Sequence, residues 1–123
     1  MKIYCKICQV ELTNELVILK DSSLLCEEDG CDLVPLGFYF LTDKSYPVTG
    51  EMKIVINLKD LKNEKRHSDL SRTNGCCGLD GLDGINTVCI NDHEIGTQSS
   101  DCWMPHYFTF ESDLIEVHES HLH

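Results

Sequence analysis

Residues 5–31 read CKICQVELTNELVILKDSSLLCEEDGC. A C-x2-C pair, Cys5 and Cys8, opens the stretch, and a C-x4-C pair, Cys26 and Cys31, closes it. Between the pairs, residues 16–20 (LVILK) and 24–26 (LLC) are short β-type runs, and EEDG at 27–30 has turn chemistry. Seventeen residues separate Cys8 from Cys26, room for an out-and-back hairpin. The spacing predicts a four-thiolate site in which each pair sits on a turn. C-x2-C turns both sulfurs toward one point, and a tetrahedral zinc needs four such ligands.

Cysteine clusters serve either metals or disulfides, and compartment separates the two cases. The chain opens MKIYCKICQVEL, without a basic stretch followed by an apolar one, so no secretory signal is visible. The expectation is a cytoplasmic protein with reduced thiols and one or two structural zinc ions. The eight cysteines are even in number, so a disulfide framework is the alternative. The N-terminal segment resembles a generic zinc ribbon. That resemblance implies a structural lobe over residues 1–35 and carries no specific function.

The remainder, residues 36–123, reads as a β-rich domain. FYFLT at 38–42 is an aromatic strand. MKIVINL at 52–58 alternates Met52, Ile54, Ile56 and Leu58 on one side, with Val55 on the other. SYPVTG at 45–50 is a loop, and the polar run 59–68 is a short helix or surface loop. NGCCGLDGLDG at 74–84 is too glycine-dense for regular structure. Residues 86–90 form a short strand, 96–101 a polar loop, and 103–110 a strand interrupted at Pro105. Residues 113–117 make a last strand or turn, and 118–123 a frayed end. The fold class is therefore α+β, a β-rich small domain with a zinc-ribbon-like lobe and a glycine- and cysteine-rich second half.

A second set of metal-ligand types lies in that half. Cys89 with His93, and Cys102 with His106, are both C-x3-H, and Cys76 and Cys77 compete for a place beside them. Neighbouring side chains point apart in extended chain, which disfavours both adjacent cysteines on one metal. A glycine-rich loop with buried free cysteines is a second reading, and a Cys76–Cys77 vicinal disulfide or redox loop a third. Asp80 and Asp83 lack the alternating oxygen ligands of a calcium loop and read as turn aspartates. His118, His121 and His123 read as a polar tail.

Catalytic patterns are weak. Asp101, Cys102 and His106 offer an orienter, a nucleophile and a base, and His67 offers another base, but none forms a hydrolase, metalloprotease, nucleotide or deaminase signature. The sequence favours a non-enzyme. The alternative is a small metal- or thiol-dependent enzyme using the 76–106 cluster.

The net charge is −11 and unevenly spread. Residues 52–75 hold six bases (Lys53, Lys59, Lys62, Lys65, Arg66, Arg72) against three acids, whereas 76–123 hold nine acids and no Lys or Arg. Such a segment repels phosphate, which argues against nucleic acid and for a basic protein partner. No apolar run approaches the roughly 18 residues of a membrane helix. In size, acidity and lack of a catalytic signature the chain is similar to bacterial immunity proteins and other protein inhibitors. That likeness implies an acidic face covering a basic toxin or nuclease. Trp103, Tyr107 and Phe108 are the candidate aromatic contacts.

Overall fold

Short apolar runs set the strands, and no run is long enough or periodic enough for an α-helix. The computed structural model describes residues 1–42 and 53–119. Among these there are nine strands: β1 Lys2–Cys5, β2 Val17–Ile18, β3 Phe38–Leu41, β4 Ile54–Ile56, β5 Glu64–Arg66, β6 Thr87–Cys89, β7 Glu94–Ser99, β8 Tyr107–Phe110 and β9 Ile115–His118. Helical structure among the described residues is limited to four single 3-10 turns. The loop expected at 45–50, Met52, His121 and His123 lie outside the described residues.

Seven strands form one sheet in the order β2-β3-β4-β8-β7-β6-β5, antiparallel throughout except for β2 against β3. β1 and β9 make a separate antiparallel pair, with Ile3 opposite Val117 and Cys5 opposite Ile115. β4 is buried on both sides, because successive side chains in a strand point to opposite faces. Its Ile56 joins the larger core with Ile3, Leu12, Leu16, Ile95, Phe108 and Phe110. Its Val55 joins a smaller core with Leu19, Leu33 and Val34. Residues 1–35 contribute to both cores.

Several local expectations are corrected. The run at 24–26 is not a strand: Asp21 accepts the Ser23 N–H at 3.0 Å and caps a 3-10 turn at Ser22–Leu24. No hairpin therefore links the two cysteine pairs, and β2 pairs in parallel with β3 instead. The polar run 59–68 contains β5, which pairs with β6. The stretch 96–101, expected as a loop, is largely strand β7. Its polarity misleads because Asn86 supplies the partners that a strand edge needs. The fully buried Asn86 accepts the Gln98 N–H at 2.7 Å and donates to the Gln98 carbonyl at 2.9 Å. Gly96 lies against Phe108, where a Cβ would approach the ring to 2.9 Å. His118 is not frayed but sits in β9 opposite Lys2.

Glu11 ties β1 to the segment after β4. Lys62 and Lys2 both hydrogen-bond its carboxylate, Lys2 at 2.9 Å, and hold its pKa at about 2 instead of 4.5. The same contact raises the Lys2 pKa. A depressed carboxylate stabilises the fold fully above its unfolded pKa, and the contribution is lost as pH falls toward the folded value. Glu11→Gln is therefore expected to lower the urea midpoint by a constant amount above pH 4.5, with the gap from the parent closing as pH falls toward about 2. A gap that stays constant through this window would show that the two lysines do not act through the Glu11 charge.

Candidate metal centres

Two turns build the first centre. In the first, the Gln9 N–H donates to the Cys5 carbonyl at 2.8 Å and the Cys5 N–H to the Val10 carbonyl at 3.0 Å. Gln9 closes this turn in the left-handed region, at φ 64°. In the second, which joins β6 to β7, the Asp92 N–H donates to the Cys89 carbonyl at 2.9 Å and the Cys89 N–H to the His93 carbonyl at 2.8 Å. Asp92 is also left-handed, at φ 69°, and aspartate tolerates that conformation better than most residues. Each turn aims two ligand side chains out of one bend.

The fold sets the two turns face to face. Cys5, Cys8, Cys89 and His93 have their ligand atoms all within 4.8 Å of one another, a group that could hold a metal ion. Cys8 Sγ lies 3.7 Å from Cys89 Sγ, Cys5 Sγ 3.7 Å from His93 Nδ1, and Cys89 Sγ 3.5 Å from the same nitrogen. Cys5 and Cys89 are buried within the larger core. Burial opposes ionisation of Cys8, but hydrogen bonds from Asn91, Val10, His93 and Cys5 outweigh it and bring the thiol down to about 6. Burial pushes the Cys89 thiol up.

This ligand set unites residues that the sequence had divided between two sites. Cys26 and Cys31 stand elsewhere, joined in a disulfide with Cα atoms 6.3 Å apart. Their loop packs on the segment before β8, where the His106 N–H donates to the Cys31 carbonyl at 2.7 Å. His106 is not in a metal group either, since its Nε2 lies 3.1 Å from the Asp101 carbonyl oxygen.

The second group is Cys76, Cys77 and Cys102, all exposed and with sulfurs within 4.8 Å of one another. Asp101, 1% exposed, organises it. One carboxylate oxygen accepts N–H bonds from Cys77 (3.0 Å) and Cys102 (2.7 Å). The other accepts from Cys76 (2.9 Å) and the Trp103 indole (2.9 Å). The backbone bonds from Cys77, Cys76 and Cys102 hold the Asp101 pKa far below the usual carboxylate range. The glycines around it are spatial requirements: a Cβ on Gly78 would meet the Ser100 carbonyl at 2.5 Å. The Cys77 side chain, burial and Asp101 push the Cys102 thiol up to about 12. Asp101 was legible only as a possible orienter of a catalytic base, and the structure gives it the thiol-bearing backbone to orient instead.

Other candidates are placed as follows. His67 bonds Glu94 through Nε2 at 3.0 Å and accepts the Asp69 N–H at 3.0 Å, so both ring nitrogens are engaged. Asp80 accepts the Leu82 N–H at 3.0 Å, and Asp83 the Asn74 side-chain amide at 3.0 Å, both within the loop. Phe108 is completely buried and unavailable as a contact, because it faces the larger core from β8. Trp103 is 51% exposed, and Tyr107 packs at the smaller core. Of the six bases in 52–75, five form ion pairs with carboxylates. Lys53 meets Glu111, Lys59 Asp32, Lys62 Glu11, Lys65 Asp92, and Arg72 both Asp69 and Glu94. No helix among the described residues is long and apolar enough to cross a membrane.

No protein-family model, curated protein or solved structure matches this chain.

Proposed function

We propose that the protein is a non-enzymatic, zinc-stabilised acidic binding module, of the immunity or inhibitor kind, that neutralises a basic toxin or nuclease. The observation that carries the zinc-stabilised part of this reading is the first centre. A tetrahedral zinc with bonds of about 2.3 Å to sulfur and 2.0–2.1 Å to nitrogen separates its ligand atoms by about 3.5–3.8 Å. Three of the six separations at that centre are 3.5–3.7 Å, and all six lie within 4.8 Å. Three cysteines and a histidine complete the coordination and leave no place for water or substrate, which is the arrangement of a structural site. This set replaces the ribbon-like ligand set Cys5, Cys8, Cys26 and Cys31. Zinc would act here as a staple between the first turn and the β6–β7 hairpin. The six free cysteines suit a reducing compartment such as the cytoplasm, whereas the one disulfide, Cys26–Cys31, departs from the all-thiol set expected there.

A protein partner is supported over nucleic acid by the ion pairs, which commit most of the basic stretch to the chain's own acids. Asp83, Asp113 and Glu116 remain exposed, as do Leu82 and half of Trp103, so charge and apolar anchors are both present for an interface. The test is affinity for a cationic toxin or nuclease encoded beside the gene. Tight binding should weaken at least about tenfold as salt rises from about 50 to about 300 mM. Salt-independent binding, or no binding to any such protein, would refute the reading.

The second reading is a small metal- or thiol-dependent enzyme. The exposure of Cys76, Cys77 and Cys102 favours it, since a catalytic thiol or metal must be reached by substrate. Turnover abolished by alkylation of these thiols would establish it in place of the first.

A further inference from the structure

We propose that Cys76, Cys77 and Cys102 form a second metal site, open on one side, which takes a thiophilic d10 cation of the zinc class and leaves its fourth position to a ligand from solution. The proposal rests on these residues alone and not on the nature of any protein partner.

Three sulfurs converge within 4.8 Å although two belong to adjacent residues. In extended chain those two would diverge. Here the chain bends at 76–78, and the Asp101 carboxylate gathers the amides of Cys76, Cys77 and Cys102 onto its two oxygens. Four N–H donors saturate that carboxylate, so it fixes the ligands without being one. His106 is turned to the Asp101 carbonyl, and Cys31 is held in its disulfide. Among the described residues the group therefore has three protein ligands and no fourth.

Charge points the same way. Three thiolates beside a carboxylate would concentrate four negative charges in a segment with no Lys or Arg, and a bound cation offsets them. Binding of a divalent ion releases three protons, one from each thiol, and gives a three-sulfur complex of charge −1. Three protein ligands with one exchangeable position is the pattern of zinc sites that do chemistry, in contrast to the closed first centre. The exogenous ligand class is water, imidazole or a small thiol.

The test is anaerobic titration of the whole metal-free protein, its six free cysteines reduced and the Cys26–Cys31 disulfide kept intact, with Cd(II), followed by sulfur-to-metal charge transfer and 113Cd resonance. Two equivalents are expected. The second resonance should report three sulfurs and should shift on adding imidazole, while the first stays fixed. Cys102→Ser should remove the second equivalent and keep the first. Should that variant fail to fold, the exposed Cys76→Ser provides the same readout. A single equivalent in the parent overturns the site, as does a second equivalent that survives Cys76→Ser and Cys102→Ser together. A second cation bound by four sulfurs and indifferent to imidazole overturns its openness.

Discussion

Replacing Cys89 with serine is expected to remove one equivalent of tightly held zinc and at least about 4 kcal/mol of stability, since loss of a structural metal belongs with the largest single-residue effects. For a domain of this size that loss corresponds to roughly 15–25 °C in Tm. Cys89 is fully buried, belongs to the larger core, and faces both Cys8 and His93. Serine leaves a weak ligand and an under-packed hydroxyl in its place. Stripping the parent with a strong chelator should produce a comparable fall, because a metal held there would clamp turns whose Cys8 and Cys89 lie 81 residues apart in sequence. Leu70→Ala serves as the control: its side chain is 79% exposed and lies outside both cores and both cysteine centres, and Tm should move by only a few degrees. Calorimetry together with native mass spectrometry decides the matter. A Cys89→Ser protein that melts like the parent with its zinc count intact would remove the first centre from the functional argument.

Ligand chemistry was more legible in the sequence than ligand pairing. Cys5 with Cys8, and Cys89 with His93, were readable as units because each sits within one turn, and local spacing reports local geometry. That the two units meet depends on β1 pairing with β9 and on the β6–β7 hairpin reaching the same core, and no local pattern carries such long-range contacts. The N-terminal pairs were matched with each other because they were near in sequence. The asymmetry between the two C-x3-H units had a local signal. Residues 91–92 (ND) lie between two strand-like runs and favour a hairpin turn, whereas Pro105 blocks an equivalent turn between Cys102 and His106. Apolar runs at β3, β4 and β6 were readable for the ordinary reason that burial needs apolar side chains. β7 was not, because Thr97 and Gln98 are polar and its backbone partner is partly the Asn86 side chain. Phe108 and Trp103 looked alike as aromatic contacts. Only the strand register separates them, sending Phe108 inward on β8 and leaving Trp103 half outside against Asp101.

Asp101→Asn is expected to weaken the second site about 10–100-fold for Cd(II), the usual effect of removing a group that orients metal ligands, while leaving the first site unchanged. The parent carboxylate accepts four N–H bonds, two on each oxygen. Asparagine keeps one acceptor oxygen and turns an NH2 group toward two donors, so one pair of N–H groups loses its partner. Either orientation of the amide frees one of the amides of residues 76 and 77, and the bend that brings their sulfurs together loosens. Removing the negative charge has an opposite effect, since it eases ionisation of the thiols. The carboxylate positions the backbone of all three ligand residues, so the expected balance is a net weakening. Amide hydrogen exchange provides a readout independent of metal: protection at Cys76 or Cys77 should fall in the variant, with β8 and β4 unaffected. Unchanged cadmium affinity alongside unchanged exchange at these amides would mean that the three cysteines hold their positions without Asp101, and its role as organiser of the site would be withdrawn.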